Sequence, residues 1–125
     1  MDDKNLARLK KLERGKNRDL LKLEWVIAGT GVISFIVMIL AAAYIDMSGV
    51  WKAVLIAAAC AILALTVYCA LRIEWKAGYY ECPNCRHRYV PDFKAVFFAP
   101  HIVRTRRLKC PDCGKTGWHK KVLTK

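Results

Sequence analysis

Glu81-Cys82-Pro83-Asn84-Cys85-Arg86 and Cys110-Pro111-Asp112-Cys113-Gly114 are two versions of one short pattern. Two residues between cysteines let both thiolates point to one side of a tight turn. Two such turns supply the four ligands of a tetrahedral metal site. Pro after the first cysteine of each pair presets φ for the turn. Gly114 can take the left-handed conformation that closes the second knuckle, whereas Arg86 fills that position in the first, at some cost in strain. The gap from Cys85 to Cys110 is 24 residues, enough for a β-hairpin. Cys82, Cys85, Cys110 and Cys113 are therefore expected to form one metal site.

The stretch Tyr79-Tyr80-Glu81-Cys82-Pro83-Asn84-Cys85, with Tyr89, Pro91 and Cys110-Pro111-Asp112-Cys113-Gly114, resembles the knuckles of zinc ribbons and of rubredoxins. The resemblance covers residues 79–123 and implies that the same four cysteines are the ligands. An all-sulfur tetrahedral site suits zinc or iron. Rubredoxins are usually acidic, whereas this segment is strongly basic, so zinc is the expected metal and iron the alternative. The chain is also similar to small bacterial membrane proteins that carry such a ribbon at the C-terminal end. That similarity implies a location and a metal, but no activity.

Upstream lie two long apolar runs. Residues 25–45 and 53–71 contain no charged side chain. At ~1.5 Å per residue each is about as long as the hydrocarbon core of a bilayer is thick. A chain of 125 residues has too little remaining sequence to wrap two helices that are apolar all round. Trp25 and Trp75 flank one end of the pair, and Tyr44 and Trp51 the other, the placement of interfacial aromatics. The link between the runs is short, so a helical hairpin is expected. Small residues offer contact faces: Gly29, Gly31 and Ser34 in the first helix, and Ala53, Ala57 and Ala61, broadened by Ala58, Ala59 and Ala64, in the second. These faces could pair within the chain or between copies of it. Cys60 and Cys69 read as small packing residues.

Charge orients the hairpin. Residues 1–24 hold eight Lys/Arg and residues 72–125 hold thirteen, but the link holds only Lys52. Basic flanks stay cytoplasmic, and metal-binding thiolates need a reducing compartment. The expected protein is thus an integral, two-pass protein of the cell membrane with both termini cytoplasmic. Its fold class is an α-helical transmembrane hairpin plus a small β-rich zinc-ribbon domain. The expected divisions are 1–24, a basic amphipathic segment; 25–71, the hairpin; and 72–125, the ribbon. Within the first, residues 2–14 read as a helix that Gly15-Lys16-Asn17 interrupts before the membrane.

Of the net charge of +12, residues 72–125 carry +9. Arg104, Arg106, Arg107 and Lys109 are its densest cluster and the expected contact with anionic lipid or an acidic partner. On a strand, Arg104 and Arg106 would share one face, and Arg107 and Lys109 the other. The stretch Phe93-Lys94-Ala95-Val96-Phe97-Phe98-Ala99-Pro100 is too apolar for an exposed loop and is expected to cover the ribbon's core or to touch a surface.

Catalysis is not expected. Four cysteines close a metal site that a catalyst would leave open. His87, His101 and His119 read as ordinary strand or surface residues. No nucleophile triad or phosphate loop is present, and neither apolar run holds an internal charge for an ion path. The expected function is a membrane-tethered interaction module or accessory subunit that docks a protein partner. A membrane-associated nucleic-acid-binding ribbon and an iron electron carrier are the alternatives. Nucleic acid is not favoured, because cytoplasmic flanks of membrane proteins are basic in any case.

Overall fold

A computed structural model describes residues 2–125. Its elements are α1 (Asp3–Tyr44), α2 (Gly49–Lys76), β1 (Tyr79–Glu81), β2 (Arg88–Tyr89), α3 (Phe93–Phe98), β3 (His101–Ile102), β4 (Thr105–Lys109) and β5 (Thr116–Val122). The five strands form one antiparallel sheet in the order β2-β1-β5-β4-β3. The chain divides into a helical body, residues 22–73, and a ribbon body that joins residues 74–125 to the first turns of α1.

The helical body holds two helices long and apolar enough to cross a membrane, and only 11% of the most apolar window of each is buried. Large side chains such as Val26, Ile33, Val37, Val54 and Leu65 point outward. What is buried between the helices is small. Gly31 of α1 lies against Thr66 of α2 so closely that a Cβ there would collide with the threonine side chain. Thr66 Oγ1 bonds back to the carbonyls of Ile62 and Leu63 at 3.0 and 2.8 Å, so its hydroxyl needs no outside partner. Ala42, Ala59 and Ala70 are buried as well.

Of the expected small-residue faces, Gly31 and Ala59 lie between the two helices of the chain, but most of the rest do not. Ala53, Ala57 and Ala61 face outward, as does Gly29. The inward positions of α2 are Leu55, Ala59, Leu63, Thr66 and Ala70, at steps of three and four residues. These steps keep Thr66 opposite Gly31. A second correction concerns the start of the chain: α1 runs unbroken through Gly15-Lys16-Asn17. A single glycine costs a helix only about 1 kcal/mol, and tertiary contacts hold this part of α1. Asn17 is buried and donates from Nδ2 to the Leu123 carbonyl at 2.7 Å, and Glu13 accepts from the Tyr79 hydroxyl at 2.8 Å. The division expected near residue 24 is therefore not a break in the helix.

The core of the ribbon body is Tyr80, Val96 and Leu108, flanked by Trp75, Tyr89 and Ala99. The apolar stretch after Pro91 forms α3 and inserts Val96 into this core. Trp75 Nε1 donates to the Pro91 carbonyl at 2.6 Å and ties the last turn of α2 to the segment before α3.

Candidate metal centre

The two knuckles repeat one hydrogen-bond pattern. In the first, the Arg86 N–H donates to the Cys82 carbonyl and the Cys82 N–H to the His87 carbonyl, both at 3.0 Å. In the second, the Gly114 N–H donates to the Cys110 carbonyl and the Cys110 N–H to the Lys115 carbonyl, again at 3.0 Å. The fifth residue of each closes the turn with positive φ, 58° at Arg86 and 71° at Gly114. Arg86 thus adopts the conformation that glycine takes without penalty. Both knuckles project from β-strands that share β5 as a neighbour, so the sheet fixes their separation.

This arrangement brings the four sulfurs together. Cys82 Sγ lies 3.7 Å from Cys113 Sγ, and Cys85 Sγ 3.6 Å from Cys110 Sγ. All four lie within 4.8 Å of one another. A disulfide would hold sulfurs at about 2.05 Å. Thiolates bound 2.3 Å from a central zinc stand about 3.8 Å apart in a regular tetrahedron. The observed spacing is that of a site able to hold a metal ion. Cys82 and Cys110 are buried beneath it, while Cys85 and Cys113 face outward.

The thiols also divide electrostatically. The backbone N–H of Cys85, with other donors, holds Cys82 down to about 7 despite its burial. For Cys85 the backbone N–H of His87 favours the thiolate. Partial desolvation of the sulfur by its neighbours and the sulfurs of Cys110, Cys82 and Cys113 together outweigh it and push Cys85 up to about 12. Four sulfurs this close cannot all be ionised unless a cation sits among them.

Among the described residues no histidine joins the cluster. His87 stacks on the Tyr89 ring at 5.9 Å, and His101 is exposed on β3. His119, expected to be ordinary, is fully buried, with Nδ1 2.5 Å from the Tyr89 hydroxyl. Burial lowers its pKa. The same Tyr89 hydroxyl lies 3.4 Å from the Lys109 carbonyl, next to Cys110, so the pair braces the strand that enters the second knuckle.

The basic cluster divides. Arg107 and Lys109 are exposed and Arg104 is half-buried. Arg106 corrects the expectation: it is 1% exposed and takes no part in the surface. Its Nη2 meets Glu74 Oε2 at 2.6 Å, its Nη1 donates to the Val96 carbonyl at 2.9 Å, and its Nε to the Tyr80 hydroxyl at 3.2 Å. Burial works against the guanidinium charge, but the bonds and field of Glu74 overcome it and raise the pKa of Arg106. Tyr80 is raised too, by burial first and then by the Glu74 carboxylate. Composition gave no sign of this pair. The available clue was that Glu74 is the first acid after the second apolar run.

Comparison of the chain with protein-family models, curated proteins and solved structures gives no match.

Proposed function

We propose that the protein is a small integral membrane protein whose helical hairpin anchors a cytoplasmic zinc ribbon, and that the ribbon serves as an interaction module or accessory subunit. The observation that carries this reading is four sulfurs at tetrahedral spacing, in a chain whose two long apolar helices leave most of their surface bare. Helices of a soluble core would be mostly covered. Bare apolar helices need lipid or a partner. Cys82, Cys85, Cys110 and Cys113 would hold the zinc, a closed site whose work is to fold the ribbon rather than to activate a substrate. The basic flanks and the thiolates support the cytoplasmic side for both.

Two experiments test it. A reporter fused after Lys125 that is active only in the cytoplasm is expected to be active, and activity only outside contradicts the topology. Affinity purification of the full chain in mild detergent is expected to recover a protein partner. Its loss in a Cys82→Ser variant that still inserts would tie the partner to the metal-folded ribbon. Recovery of the chain alone would contradict the interaction role.

A further inference from the structure

We propose that the end of α3 and the β3–β4 turn form a tip that inserts into the interfacial layer of an anionic bilayer; this rests on the membrane reading above. Phe97, Phe98, Ile102 and Val103 fall within a short stretch at the β3 edge of the sheet. They are 46%, 80%, 64% and 77% exposed. So large an apolar fraction on a ribbon whose own core is three residues leaves the tip in need of a cover.

Backbone conformation points the same way. Ile102 pairs with Thr105, so the hairpin turns on Val103 and Arg104 alone. Val103 has φ 56°, at a turn position that two-residue hairpins commonly give to Gly or Asn. A β-branched residue there is strained. Burial within the fold does not explain the choice, because the side chain points into solvent.

Charge selects the occupant. Lys94, one helical turn before Phe98, and Arg107, two residues after the turn's last pair, are exposed, and no acid lies between residues 93 and 111. An apolar tip with a cationic rim matches a layer of anionic headgroups over acyl chains. Only seven residues separate Leu71, the end of the second apolar run, from Tyr79 at the start of β1. The ribbon is held within reach of such a surface, which raises its effective concentration there.

The test places a photocrosslinking benzoylphenylalanine at Phe98 in the full-length, metal-loaded chain. The protein is reconstituted in vesicles of phosphatidylglycerol and phosphatidylcholine, or of phosphatidylcholine alone. A parallel sample carries the crosslinker at Ile36 in α1. Lipid adducts at both positions, with those at Phe98 falling when phosphatidylglycerol is omitted, are the expected result. Adducts at Ile36 but none at Phe98 would overturn the tip and leave the membrane reading standing, whereas none at either would overturn both. In native membranes, adducts from Phe98 to protein or RNA in place of lipid would also overturn it. Val103→Gly separates this role from a structural one. It should raise the melting temperature of the ribbon by relieving the strain, yet lose most of the Phe98 lipid adducts. Unchanged adduct yield would remove Val103 from the tip.

Discussion

The helical body and the ribbon body are held together by opposite means. Between the helices the closest contact is glycine against a self-satisfied threonine, with alanines buried beside it and Leu55 and Leu63 partly covered, and most of the other large apolar side chains point away. In the ribbon Tyr80, Val96 and Leu108 point inward, and the same body holds a buried ion pair and a cluster of four thiols. The difference fits the surroundings proposed for each. In lipid nothing is gained by hiding leucine, so close backbone approach must supply the attraction. In water a segment this small buries little apolar surface, and a metal bound by the four thiolates would make up the difference.

Loss of a metal ligand should have the largest effect and fall on the ribbon alone. Cys82→Ser or Cys110→Ser is expected to forfeit on the order of 10 kcal/mol of folding free energy. The ribbon should lose its strand signal in circular dichroism and become sensitive to protease. The helical signal of residues 22–73 should persist in detergent. Collapse of both bodies together would show that they are not independently held.

The buried pair comes next. Glu74→Gln leaves Arg106 charged and enclosed, a change that costs about 3–5 kcal/mol in comparable sites. The double variant Glu74→Leu, Arg106→Met should recover most of that, because the cost lies in the uncompensated charge. If the single variant melts like the wild type with metal bound, Arg106 is not held as described.

In the helical body the corresponding weak point is Gly31. Gly31→Leu drives a side chain into Thr66 and should cost roughly 1–3 kcal/mol, read as lower resistance of the hairpin to denaturing detergent. Gly29→Leu, with open space around it, should change little. Equal effects at both would contradict the crossing point.

A smaller effect comes from pH. His119 is buried and neutral, with its pKa lowered by burial from the usual 6.5. The unfolded chain therefore takes up the proton first, and stability falls as pH drops below about 6.5, by up to ~1.4 kcal/mol per pH unit. With metal held saturating, His119→Gln should flatten this part of the profile. Smallest is Arg86→Gly, which should gain about 1 kcal/mol by removing an L-residue from left-handed backbone; the same exchange is already present at Gly114.

The sequence disclosed what depends on local pattern. Paired cysteines at fixed spacing announced the cluster of four thiols, and uncharged runs announced the helices. Arg86 in place of glycine foretold the strained turn. Positions that depend on which side of an element faces its neighbour were not legible. The stripe Ala53, Ala57 and Ala61 has the right chemistry for helix contact, but the register that puts Thr66 against Gly31 turns it outward. Arg106 sits in a run of basic residues that composition cannot tell apart, and only strand alternation against Glu74 sends it inward. Gly15 suggested a helix end because contacts from residues 79 and 123 back to Glu13 and Asn17 are invisible until the chain is folded.

In the proposed function Cys82, Cys85, Cys110 and Cys113 bind one zinc ion, and this ion folds the ribbon. Elemental analysis of the full chain, purified in detergent without added metal, tests it most directly. One zinc per chain is the expected result, with loss of that zinc in Cys110→Ser. Iron in its place, or a folded ribbon with no bound metal, would contradict the account.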